Sequence, residues 1–103
     1  EQQITSFEEL FHHMTPNGVY ACEDLHTSYW DEFGGGYKRN GTFIEYSKDF
    51  IDYINAFHSK TDALKENSFT RSVQSLHYYD SMLVIEKKKM RKPYMVKEGK
   101  NAL

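Results

Sequence analysis

The run Val19-Tyr20-Ala21-Cys22 limits what this chain can become more than any other stretch. Pro16 and Asn17-Gly18 stand in front of it, and Glu23-Asp24 close it. A short unbroken apolar run between turn residues reads as a strand covered on both faces, the kind found in parallel sheets, because a half-covered strand alternates. In open α/β sheets, ligands collect beyond the carboxyl ends of such strands, so the acids that finish this one are candidates for chemistry. Successive strand residues face opposite ways. Glu23 and Asp24 therefore reach one ion only if the chain leaves strand geometry at Asp24. Their hard oxygens suit Mg²⁺, Mn²⁺ or Ca²⁺ rather than a thiol-preferring ion. Two acids alone make a poor site, and taken in isolation such a pair is more often a plain polar strand end.

Helical periodicity lies on both sides of this strand. Residues 3–14 place Ile4, Phe7, Leu10, Phe11 and Met14 on one face, and Thr15-Pro16 stops them. Thr42 to His58 reads as a second helix, with Thr42 as its cap and Glu45 three residues on. Phe43, Tyr46, Phe50, Ile54 and Phe57 line one side, widened by Ile51 and Tyr53. Phe69 to Tyr79 and Met82 to Lys88 then read as an antiparallel hairpin turning at Asp80-Ser81. The expected class is α/β, in the order α-β-α-β-β.

Between the first strand and the second helix, residues 25–41 have no usable period but hold Tyr29, Trp30, Phe33 and Tyr37 among glycines and charges. Long loops rich in large rings are usually functional. Gly34-Gly35-Gly36 does not follow a strand directly, and the nearby G-x-x-x-x-G-T lacks the lysine of a phosphate loop, so neither nucleotide motif is present. A hinge for a substrate-covering loop is the better reading. His12 and His13 fall near a helix C-terminus, where a partly positive ring complements the dipole. His26, two residues beyond Asp24, is the one histidine placed to act as a base or ligand, with a structural role as the alternative. Cys22 stands alone, which excludes an intrachain disulfide and favours a reducing, cytoplasmic setting. The longest aliphatic run, Met82 to Ile85, is far too short to span a bilayer.

Charge is unevenly placed. Residues 1–86 carry 14 acids against 6 bases, and residues 87–103 carry 7 bases against one acid. The basic end could act as a nucleic-acid arm, but a solvated extension after the last strand is the preferred reading.

Taken together, FEELFHHMTPNGVYACEDLHTSYWDEFGGGY, FIEYSKDFIDYIN and SVQSLHYYDSMLVIEK resemble the C-terminal half of a family of S-adenosylmethionine-dependent O-methyltransferases. These are the metal-dependent enzymes related to the macrocin and mycinamicin sugar methyltransferases and to the cephalosporin-modifying methyltransferase. The resemblance implies a Rossmann-like sheet, of which residues 1–88 form a partial domain ending in the antiparallel hairpin, with 89–103 as a basic tail. It implies Mg²⁺ on Glu23 and Asp24, and a substrate-facing segment holding Tyr29, Trp30 and Tyr37. No further catalytic residue is assigned beyond the candidate His26. The residues that bind S-adenosylmethionine are expected upstream of Glu1, so the chain alone is expected to carry out no methyl transfer. The partner implied is a small molecule, a hydroxyl of a sugar or other natural product, with neither membrane nor nucleic acid. A non-catalytic binding or assembly module reusing half the fold is the alternative. With its neighbour missing, the outer edge of the first strand is expected to pair with a second copy of the chain.

Overall fold

The computed structural model describes residues 2–93. Helix α1 spans Gln2–Phe11, strand β1 Val19–Glu23, helix α2 Phe43–Ile54 and the short helix α3 Ser68–Ser72. Strands β2, Val73–Tyr79, and β3, Met82–Lys87, form the closing hairpin. Three 3-10 turns, Leu25–Tyr29, Asp31–Phe33 and Ala56–His58, occupy the connections. Most of the basic tail lies outside the described residues.

Helix α1 ends earlier than its periodicity suggests. His13 and Met14 donate to Leu10 and Phe11 in a tightened last turn, which leaves His12 and His13 beyond the helix. The charge at its C-terminus comes instead from β3, where the buried Lys87 ammonium donates to the Phe11 carbonyl at 3.0 Å. Leu10, placed by period on the apolar face, is 54% exposed. Helix α2 starts where its cap predicts, with the Glu45 N–H donating to Thr42 Oγ1. Helix α3 takes four residues from the expected strand. Asn67 and Thr70 form a reciprocal capping box, which begins a helical turn and lets Phe69 enter the core.

The sheet order is β1-β3-β2, and both pairings are antiparallel. Among the described residues β1 pairs only with β3 and only antiparallel, so the parallel neighbour its composition implies is not among them. Helices α1, α2 and α3 all pack on one face, over Tyr20, Cys22, Leu76, Leu83 and Ile85. The opposite face carries Ala21, Val84 and His77 in one cross-strand row and Glu23, Met82 and Tyr79 in the next. No helix among the described residues covers it, so β1 alternates in exposure and Val19 is open to solvent. The outer edge of β1 has no strand beside it among the described residues.

Aromatic rings hold the three helices together. Phe50 stacks on Phe69 at 4.5 Å, Phe69 on Phe11 at 5.4 Å, and Phe7 tilts against Phe50 at 5.2 Å. Burying each ring contributes about 1.5–3 kcal/mol, and each well-placed pair roughly 0.5–1.5 kcal/mol more. One polar residue enters this layer. Ser47 is fully buried, and the Tyr78 hydroxyl of β2 donates to its carbonyl at 2.9 Å, tying α2 to the sheet. Among the described residues no helix is long and apolar enough to cross a membrane.

Candidate metal and substrate site

The acid pair sits where β1 turns away from the sheet. Asp24 adopts φ 61°, ψ 38°, a left-handed conformation that aspartate tolerates better than most residues. This breaks the strict alternation of the strand at the residue where a shared ion requires it. Beyond it, Leu25 drops into the core while Glu23 and Asp24 stay exposed. The backbone here is held from several sides. Gln3 Nε2 donates to the Glu23 carbonyl at 3.0 Å, and Thr27 Oγ1 donates to the Asp24 carbonyl at 3.0 Å. Neither carboxylate takes part in an ion pair among the described residues. Two free carboxylates at a fixed bend fit the donor chemistry of Mg²⁺ or Mn²⁺ but supply only part of a shell of about six oxygens. Among the described residues no group of three or more His, Cys, Asp or Glu converges, so no third carboxylate or imidazole joins the pair there.

Ser81, in the hairpin turn, reaches across to this bend. Its carbonyl accepts the Leu25 N–H at 3.0 Å, and its hydroxyl accepts the His26 N–H at 3.3 Å while also meeting His26 Nδ1. The Ser81 hydroxyl thus engages both the amide and Nδ1 of His26, and it leaves Nε2 as the ring nitrogen facing away from it. The imidazole ring packs edge-on against Trp30 at 4.8 Å.

The aromatic loop is not an open hinge. Gly35 N–H donates to the Trp30 carbonyl at 2.9 Å, and Gly36 N–H to the Ser28 carbonyl at 2.8 Å. Gly35 is buried, and a Cβ there would stand 2.2 Å from the Ser28 oxygen, so only glycine permits this closure. The buried Ser28 hydroxyl in turn accepts the Ile44 N–H at the start of α2. The glycine cluster is therefore a clasp that ties two 3-10 turns together and to α2.

Of the substrate-facing candidates, one lines a cavity. Tyr29 lines a cavity of about 330 Å³ with His26, Ile44, Tyr78, Asp80 and Ser81. Trp30 does not line it but packs on His26, which does; it is 45% exposed, with Phe33 at 5.9 Å. Tyr37 does not line this cavity; it is 79% exposed, with Lys38 Nζ 5.4 Å above its ring. Cys22 faces the helices, and burial pushes its thiol up to about 11, so it is neither a nucleophile nor a soft ligand near neutral pH. His77 lies on the uncovered sheet face, 3.4 Å from Glu86. Sequence reasoning missed Ser28 and Ser81. Small polar residues carry no period, and the Asp-Ser turn was legible only as a turn.

No protein-family model matches the chain. Over 87 residues it is 34% identical to the mycinamicin VI 2''-O-methyltransferase of Micromonospora griseorubida, covering 81% of this chain and 22% of that protein. Demethylmacrocin O-methyltransferase of Streptomyces fradiae is 36% identical over 91 residues, 84% of this chain and 23% of that one. This chain belongs to the family of S-adenosylmethionine-dependent sugar O-methyltransferases. The MycE methyltransferase of the mycinamycin biosynthetic pathway, solved in complex with Mg and SAH, superposes with a TM-score of 0.72 at 33% identity, over 82% of this chain and 23% of that one. A further MycE structure holding Mg, SAH and mycinamycin VI gives 0.71 at 32% identity, over 82% of this chain and 22% of that one. The α/β arrangement, with its small antiparallel sheet, is thus that of a methyltransferase fold. The chain spans less than a quarter of the length of the curated relatives it matches.

Proposed function

We propose that this chain supplies the metal-binding strand end and part of the acceptor platform of an S-adenosylmethionine-dependent O-methyltransferase acting on a sugar or natural-product hydroxyl. The observation that carries the reading is the bend at Asp24. Two carboxylates with no ion pair among the described residues finish a strand in a chain that superposes on part of an Mg-bound methyltransferase. Glu23 and Asp24 would hold Mg²⁺, with the remaining ligands and the cofactor pocket supplied by parts of the protein outside these 103 residues. A cation bound there acts as a Lewis acid, fixing substrate oxygens and favouring loss of a hydroxyl proton. The chain's own residues orient the acceptor: Tyr29 and Trp30 offer ring faces to it, and His26 presents Nε2, the ring nitrogen not engaged by Ser81. Tyr37 contributes at most from the rim. Alone, the chain transfers no methyl group.

The test is direct. Mn²⁺ added to the ¹⁵N-labelled chain should broaden the Glu23, Asp24 and Leu25 resonances first, with Mg²⁺ competing. Glu23→Gln should weaken binding at least tenfold. Broadening that begins elsewhere, or is indifferent to Glu23→Gln, sinks the ligand assignment. The outer edge of β1, which has no strand beside it among the described residues, supports self-association of this chain. Sedimentation showing only monomer at high concentration removes that part.

A further inference from the structure

We propose that Ser81 is a positioning residue for this site, one that no sequence motif or relative's description assigns. The inference rests on the reading of Glu23 and Asp24 as metal ligands and adds the group that sets their geometry. Ser81 is one of three non-glycine residues with positive φ among the described residues, at 61°, and Asp24, at the same angle, is another. A hairpin turn that needed only the bend would take glycine at less conformational cost. Ser81 instead spends its side chain across the sheet end, on a residue 55 positions earlier in the chain. The backbone and hydroxyl of this one residue bind Leu25 and His26, the two residues that follow Asp24. Leu25 is anchored by the Ser81 carbonyl, which any residue would offer. His26 is anchored by the hydroxyl, which only serine supplies here. That bond does two things: it holds the backbone turn that follows Asp24, and it fixes the imidazole against Trp30 with Nε2 free for a ligand. Registration of the acid pair thus depends on the hairpin that ends the sheet.

Two variants separate this role from a purely structural one. Ser81→Gly suits the positive φ and keeps the carbonyl, so the melting temperature should not fall. Ser81→Ala keeps a side chain but removes the hydroxyl. In both, exchange of the His26 amide should speed up about threefold to tenfold while that of Leu25 is unchanged, as the loss of one hydrogen bond requires. Nuclear Overhauser contacts between the His26 and Trp30 rings should disappear, and Mn²⁺ should bind about threefold to tenfold more weakly. Ring contacts and Mn²⁺ affinity equal to those of the unmodified chain would overturn the proposal. Should the unmodified chain bind no Mn²⁺, the metal reading fails by itself, and the His26–Trp30 contacts alone decide the role of Ser81.

Discussion

Replacing Gly35 by alanine tests whether the aromatic loop is a fixed platform. The new Cβ would lie 2.2 Å from the Ser28 oxygen, 2.6 Å from the Ser28 carbonyl carbon and 2.9 Å from the Thr27 oxygen. All three are backbone atoms, so no flexible side chain can move aside. Where neighbours can adjust, overpacking costs about 1–3 kcal/mol. Here they cannot, because Ser28 is buried and bonded to the first turn of α2. The alternative is for the loop to open. That gives up the Gly35-to-Trp30 and Gly36-to-Ser28 bonds and the Arg39 Nη1 bond to the Gly35 carbonyl at 3.2 Å. At a net 0.5–1.5 kcal/mol each, opening costs roughly 3 kcal/mol. A domain of this size has about 5–10 kcal/mol to lose, so local release wins over global unfolding. Amide exchange of Gly35 and Gly36 should rise steeply while β3 stays protected. Trp30, the single tryptophan, should report the opening through a shift in its fluorescence. Unchanged protection at Gly36 with an unchanged tryptophan spectrum would show that the clasp does not hold the loop.

Two further outcomes follow from the core. Phe50→Ala removes the ring that stacks on Phe69 and touches Phe7, Phe43, Tyr46 and Tyr53, and should cost about 3–5 kcal/mol; urea unfolding with a midpoint near that of the unmodified chain would contradict the packing. Burial pulls the Lys87 ammonium below its ordinary 10.5. The unfolded chain therefore holds that proton more tightly than the fold does, so the Lys87 contribution is complete above 10.5 and is lost as pH falls through the lower folded value. Burial pushes Tyr20, Tyr46, Tyr78 and Cys22 the other way in the same alkaline range. The measurement is thus the difference between the unmodified chain and Lys87→Met, which should shift in favour of the lysine form as pH rises; a difference that does not vary with pH refutes it.

Read by itself, the sequence determined what depends on neighbours in the chain. The periods of Phe7–Phe11 and Phe43–Phe50, the cap at Thr42, the strand Val19–Glu23 with its terminal acids, and the turn at Asp80-Ser81 are local patterns of spacing and φ preference. The resemblance to sugar methyltransferases was legible for the same reason, since it rests on runs of adjacent residues. Tertiary structure decided everything that needs a partner distant in sequence. An apolar strand looks alike whichever of its faces is packed, so only the fold shows that α1, α2 and α3 share one side, with Ala21 and Val84 uncovered by any helix among the described residues. The charge capping α1 comes from Lys87, 76 residues away, and no periodicity could point to it. Gly35 and Ser28 meet because two 3-10 turns close on each other, which turns an apparent hinge into a clasp. Ser81 meets His26 because β3 lies beside β1, and hydrogen bonds across a sheet end leave no trace in the order of residues.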